Sequence, residues 1–288
     1  MQGSGARAAI VGGLLLLATP VAAAPQGPEV PQGAVYVALG SSYAAGPGVT
    51  DMAADSLPHC NQSADNYARQ LARMRKLRLV DRSCGGATTV DVLSGGQFGL
   101  PPQLDGLSPD TRLVTVTIGG NDIRYMADLG VASCRQVTEG AAGGACPATP
   151  ASFDLERSFT EVAANLRAIV AEVRRRSPQA RLVLVDYITV LPSGLPCPGL
   201  ALSPGDARAL RARAERLAEI TAEVATETGT ALIKASELSR DHDACAAVPW
   251  VQGYVSRPSP TAWGPVPFHP LLPAMTAIAA SLDQKLGD

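Results

Sequence analysis

The chain has 288 residues and a formal charge of −2, with 24 lysines and arginines against 26 acidic side chains. Its arginines are scattered over predicted helix surfaces, and Arg174, Arg175 and Arg176 form the one compact basic run, so no basic face is laid out for nucleic acid. With no C-x-x-C pair and only three histidines, composition also offers no metal-ligand set.

The chain opens with Arg7, then runs from Ala8 to Ala24 through Ala, Val, Leu and Gly and finishes in the small-residue sequence TPVAAAP. That order is the layout of a secretory signal peptide, with cleavage expected near Ala24. The apolar part falls short of the ~20 residues needed to cross a bilayer core, and no basic stop-transfer flank follows it. Residues 1–24 are therefore expected to be removed on export, and residues 25–288, which contain no repeat and no dividing linker, to form one secreted, extracellular domain.

Five short aliphatic runs follow: Val35 to Leu39, Leu77 to Val80, Leu113 to Ile118, Leu182 to Val185 and Ala231 to Ile233. Continuous apolar runs of this length suit strands buried on both faces, as in a parallel sheet. Between them lie helical patterns. From Asp154 to Arg176, the residues Phe159, Val162, Leu166, Ile169, Val170 and Val173 fall on one helical face. A second helix starts at SPGD, with Ser203 as N-cap and Pro204 at the first helical position, and turns Leu210, Leu217, Ile220 and Val224 inward. Alternating strands and helices predict an α/β domain of three layers, with a central parallel sheet covered by helices on both faces.

Cys60, Cys84, Cys134, Cys146, Cys197 and Cys245 remain after export. An even count in an oxidising compartment points to disulfides, for which fifteen pairings exist. Chain order suggests Cys60 with Cys84, Cys134 with Cys146 and Cys197 with Cys245, because each pair brackets one loop or irregular stretch.

Ligands of parallel sheets collect beyond the carboxyl ends of the strands. There the first strand is followed by GSSYAAG, the second by RSCGGATT and the third by IGGNDI, each joining glycine to a small polar residue. No G-x-x-x-x-G-K-[ST], G-x-S-x-G or H-E-x-x-H occurs, which argues against a P-loop, an α/β-hydrolase elbow and a zincin. His59, His242 and His269 are the available imidazoles; His59 beside Cys60 and His242 in RDHD read as surface residues. Asn121 and Asp122 could cap a helix, Asp122 being read as a cap or as a partner that fixes its loop, and Asp186 ends the fourth strand with no role assigned. Trp263, Pro265 and Phe268 either pack the loop before His269 or line an acyl pocket.

ALGSSYAAG, CGGATT, IGGNDI and PFHP, in this order and at these distances, resemble the four blocks of the SGNH/GDSL hydrolases, and most of all the secreted actinobacterial-type lipases and esterases of that family. The resemblance spans nearly all of residues 25–288 and includes the six-cysteine layout. It implies the flavodoxin-like SGNH-hydrolase fold, with Ser42 as nucleophile, Gly86 and Asn121 as oxyanion donors and His269 as base. A neutral serine needs an imidazole to take its proton, and a tetrahedral intermediate needs fixed donors around its oxygen.

Two positions depart from the family pattern. Ser41 stands where the family has the aspartate of G-D-S, which should alter local hydrogen bonding without removing the reaction. Val266 stands three residues before the histidine, where an aspartate is usual, so the Val266 backbone carbonyl is expected to orient the imidazole. The expected activity is that of a serine esterase or lipase, cleaving carboxylic and in particular fatty-acyl esters through an acyl-enzyme, with neither metal nor cofactor. Its partners are expected to be a small-molecule or lipid ester and, transiently, a lipid surface, with the protein a monomer. The alternatives are a carbohydrate O-acetylesterase and an exported binding protein whose catalytic power has decayed on the same fold.

Overall fold

The computed structural model describes residues 1–3, 29–138, 146–147, 152–254 and 263–287. Nearly all of the expected signal peptide and its cleavage point lie outside these residues.

Five strands, β1 Val35–Gly40, β2 Arg78–Asp81, β3 Thr111–Thr117, β4 Arg181–Val185 and β5 Ala231–Ile233, form one parallel sheet in the order β2-β1-β3-β4-β5. Each coincides with one of the aliphatic runs read from the sequence, displaced by no more than a residue or two at an end. β1 and β3 are the central strands, buried along almost their whole length, whereas edge strand β2 alternates between exposed and half-buried positions. Tyrosines in the core spend their hydroxyls on β3 threonines, Tyr36 on Thr115 Oγ1 at 2.7 Å and Tyr67 on Thr117 Oγ1 at 2.9 Å. No polar group is then left unpaired beneath the sheet at these positions.

Among the described residues, seven α-helical segments complete the layers: α1 Ser42–Ala45, α2 Tyr67–Arg75, α3 Tyr125–Thr138, α4 Leu155–Arg176, α5 Pro204–Thr228, α6 Ala235–Leu238 and α7 Leu272–Gly287. α4 forms as its periodicity requires: the Asp154 side chain accepts from the Arg157 amide at 3.0 Å, and the six apolar residues named above are buried. Arg174–Arg176 occupy its last turn, where cations offset the negative helix terminus. α5 begins at Ser203, whose hydroxyl accepts from the Asp206 amide, and ends at Gly229 in the left-handed conformation. α2 packs on α7 and α4 packs on α5. Right-handed crossovers running in opposite directions from the sheet centre place these two pairs on opposite faces.

That reversal of direction occurs between β1 and β3. The crevice beyond their carboxyl ends is therefore the switch point of the sheet, and the first- and third-block loops open directly into it.

All three cystines form as chain order suggested: Cys60–Cys84, Cys134–Cys146 and Cys197–Cys245. Cys60–Cys84 closes a loop of 24 residues that reaches the second-block loop. Replacing both of its cysteines with alanine is expected to lower unfolding stability by about 3 kcal/mol, from loop-closure entropy. Urea denaturation of the two proteins measures this, and a change below about 1 kcal/mol would show that the link does not constrain the unfolded chain as that model requires.

Candidate active site

β1 ends at Gly40 and the chain turns at once into the four-residue helix α1, with Ser42 at its first position. Being at the start of a helix, the Ser42 amide has no intrahelical acceptor and remains free to donate. A buried glutamine holds this turn from the side: Gln103 Oε1 accepts from the Gly40 amide at 2.7 Å while its Nε2 donates to the Gly40 carbonyl at 2.9 Å. The fourth-block segment crosses so close that a Cβ on Gly48 would overlap the carbonyl of Gly264, which makes glycine obligatory there.

Ser42 Oγ lies 2.8 Å from His269 Nε2, across 227 residues of chain. The other ring nitrogen, Nδ1, lies 2.7 Å from the carbonyl of Pro267. A carbonyl can only accept, so Nδ1 carries the proton and Nε2 presents its lone pair to the serine hydroxyl.

The expectation that Val266 supplies this carbonyl is corrected. The Val266 carbonyl accepts from the backbone amide of His269 at 3.1 Å. With Pro267 at the second position and Phe268 at φ +61° in the third, residues 266–269 carry the signature of a type II turn. The Val266 carbonyl is consumed in closing that turn, and the Pro267 carbonyl is left for the ring. Phenylalanine in the left-handed region costs about 1–3 kcal/mol. Two contacts offset it: the Phe268 side chain is buried, and its carbonyl accepts from Tyr43 Oη at 2.5 Å.

Burial pushes the His269 imidazole below its usual pKa, and the Pro267 carbonyl only partly opposes the shift. The ring is thus held neutral, the form that can take a proton.

The second- and third-block loops are tied to one another. Asn121 Nδ2 donates to the Ala87 carbonyl at 2.8 Å, which fixes the amide plane beside Gly86 and leaves the second N–H of the side chain without an acceptor among the described residues. Gly86 has φ +80°, and its own N–H meets no acceptor among the described residues. Asp122 accepts from the Thr89 amide at 3.0 Å and from the Thr89 hydroxyl at 2.5 Å, so of its two expected roles it is the one that fixes the loop. Asn165 extends the chain of bonds by donating to Thr89 Oγ1 at 2.8 Å.

Other candidates fall outside the site. Asp186 accepts from the amide and hydroxyl of Ser236 in α6, and burial raises its pKa to about 6. His59 is exposed, while the His242 ring stacks on Trp250 at 4.1 Å between centroids rather than standing free at the surface. Trp263 donates to the Thr50 carbonyl, and Phe268 lies in the core, so both pack the loop. A cavity of about 580 Å³ lies between α5 and α6, with Tyr125, Asp186 and Tyr187 in its wall; neither Ser42 nor His269 lines it.

Sequence reasoning missed Gln103, Tyr43 and Tyr187. Tyr187 follows β4 and is buried. Its hydroxyl lies 2.7 Å from Ser41 Oγ and accepts from the Gly120 amide at 3.0 Å. Ser41, in place of the family's aspartate, therefore has a partner of its own. For Tyr187 the available signal was its position two residues beyond a strand's carboxyl end, and for Gln103 there was none.

The model of the GDSL-like lipase/acylhydrolase family matches residues 38–271. The chain is 37% identical to Lipase 2 of Streptomyces coelicolor over 221 residues, 74% of this chain and 73% of that one. It is 31% identical to a lipase of Streptomyces rimosus over 254 residues, 85% and 87% of the two chains. Among solved structures, phospholipase A1 of Streptomyces albidoflavus NA297 superposes with a TM-score of 0.68 over 88% of this chain and 99% of its own at 20% identity, a likeness of fold. With the serine–imidazole contact in place at the ends of β1 and the fourth block, the chain belongs to the GDSL-like lipase/acylhydrolase family and is an ester hydrolase of it.

Proposed function

We propose that this protein is a secreted serine esterase or lipase that cleaves fatty-acyl esters through an acyl-enzyme on Ser42. The observation that carries this reading is the 2.8 Å contact between Ser42 Oγ and a His269 whose tautomer is fixed by the Pro267 carbonyl.

In the proposed reaction, Ser42 Oγ attacks the ester carbonyl carbon as its proton passes to His269 Nε2. The negative oxygen of the tetrahedral intermediate accepts from the Ser42 amide, the Gly86 amide and the uncommitted N–H of Asn121. The imidazolium returns its proton to the leaving alkoxide, giving the alcohol and an ester on Ser42. Water, deprotonated by the same imidazole, then cleaves that ester to free acid and serine. The Pro267 carbonyl orients the ring but brings no full negative charge, so imidazolium is stabilised less than beside a carboxylate.

Preference for fatty-acyl chains is supported by the lipases among the relatives and by apolar side chains left in solvent near the first two blocks. Met52, Val90 and Phe98 remain 51%, 51% and 57% exposed. Exposed apolar side chains next to a site suit brief contact with a lipid surface. Export is supported by the three cystines, which persist in oxidising compartments.

Hydrolysis of p-nitrophenyl butyrate and palmitate tests the reading. Ser42→Ala is expected to lower kcat by about 10⁴-fold or more, and Asn121→Ala by about 10²- to 10³-fold. Full activity in Ser42→Ala would overturn the assignment, and turnover confined to acetylated glycans would replace the fatty-acyl substrate with the acetylesterase alternative.

The pH profile gives a second test. Since His269 titrates below its ordinary value of 6.5, the base stays neutral above that point and is lost only as pH falls through the lowered pKa. The acid limb of kcat/KM is thus expected to have its midpoint below 6.5. A midpoint above that value would mean that an unrecognised anion assists the ring.

A further inference from the structure

Tyr187 belongs to none of the four blocks, yet it touches the loops that carry the first and the third. Its hydroxyl bonds Ser41, the residue before the nucleophile, at 2.7 Å, and accepts from Gly120, the residue before Asn121, at 3.0 Å. Its ring packs on Tyr43 with centroids 4.3 Å apart. Tyr43 in turn bonds the carbonyl of Phe268 and lies 5.4 Å from the His269 ring.

The fit against Gly120 leaves no slack. A Cβ there would stand 2.7 Å from Tyr187 Cε1 and 2.9 Å from its hydroxyl, so the second glycine of IGGND is where this ring rests. Ser41 is completely buried, and a short hydroxyl is the size that fits opposite a tyrosine Oη. Burial raises the Tyr187 pKa far above neutrality, so the hydroxyl keeps its proton and remains able to donate.

We propose that Tyr187 is a positioning residue, whose hydroxyl holds the nucleophile turn and the Asn121 loop in register with each other. Ser41 is its counterpart on the nucleophile side and takes the place the family gives to aspartate. The kinetic consequence rests on the esterase reading above. The structural consequence, two loops ordered by one hydroxyl, does not. Displacement of a reacting group by a fraction of an ångström acts on the chemical step more than on binding.

The test is Tyr187→Phe, which keeps the ring and removes the hydroxyl, beside Ser41→Ala, which opens the same bond from its other end. Each is expected to lower kcat on p-nitrophenyl butyrate by about tenfold or more while KM changes less than about twofold. The double variant is expected to be no slower than the slower single one, because both remove one interaction. Amide hydrogen exchange should quicken in peptides covering Ser41–Ala45 and Gly119–Ile123 and stay unchanged in α2 and α7. A kcat within twofold of the parent in both variants, additive losses in the double variant, or faster exchange spread over the whole chain would overturn the proposal. Should the parent protein fail to hydrolyse any ester, the esterase reading falls, and exchange confined to those two loops would still decide for this role and unchanged exchange against it.

Discussion

One hydrogen bond, from Ser42 to His269, sets the demands on the rest of the molecule. Its ends are 227 residues apart in sequence, and if His269 is the base we propose, a misplacement of an ångström would cost much of its value. A sheet strand delivers the serine, a tight turn delivers the imidazole, and buried side chains hold the backbone beside each. Gln103 clamps the backbone of Gly40, and Tyr43 clamps the backbone of Phe268. Each clamp sits within two residues of Ser42 or His269 and uses a buried side chain, where a hydrogen bond gains strength from the low dielectric around it.

The turn at residues 266–269 holds local strain beside the His269 ring. A type II turn at that corner wants glycine in its third place, and phenylalanine occupies it. The aromatic side chain anchors the turn in the core while its carbonyl is held by Tyr43. The result is a proton-bearing Nδ1 and a lone pair on Nε2 with no carboxylate in the arrangement. The partial burial of the ring lowers its pKa and favours the neutral imidazole.

The architecture was legible in the sequence wherever a residue's role is decided by its neighbours in the chain. The five strands, the cap at Ser203, the buried face of α4 and the three cystines all follow from local pattern and order. Ser42, Asn121 and His269 could be singled out as candidates because the loops bearing them need small residues that leave a recognisable string. Choice of carbonyl could not be read: Val266 and Pro267 are adjacent, and only the dihedral angles of the turn decide which one closes it. Tyr187 and Gln103 could not be read either, since they meet their partners across 146 and 63 residues and belong to no repeating pattern. α2 and α7 escaped for opposite reasons, the first being only nine residues long and the second so rich in alanine and other apolar residues that its two faces differ little.

The central claim is that Ser42, and not its neighbour Ser41, is the activated nucleophile. Its most direct test is treatment of the folded, disulfide-intact protein with an alkyl p-nitrophenyl phosphonate, followed by mass mapping of the peptide that holds both serines. Attack by an activated serine on phosphorus expels p-nitrophenolate and leaves a stable adduct. One equivalent on Ser42, lost in His269→Ala, is the predicted result. An adduct on Ser41, or none on either serine while esters are still hydrolysed, would contradict it.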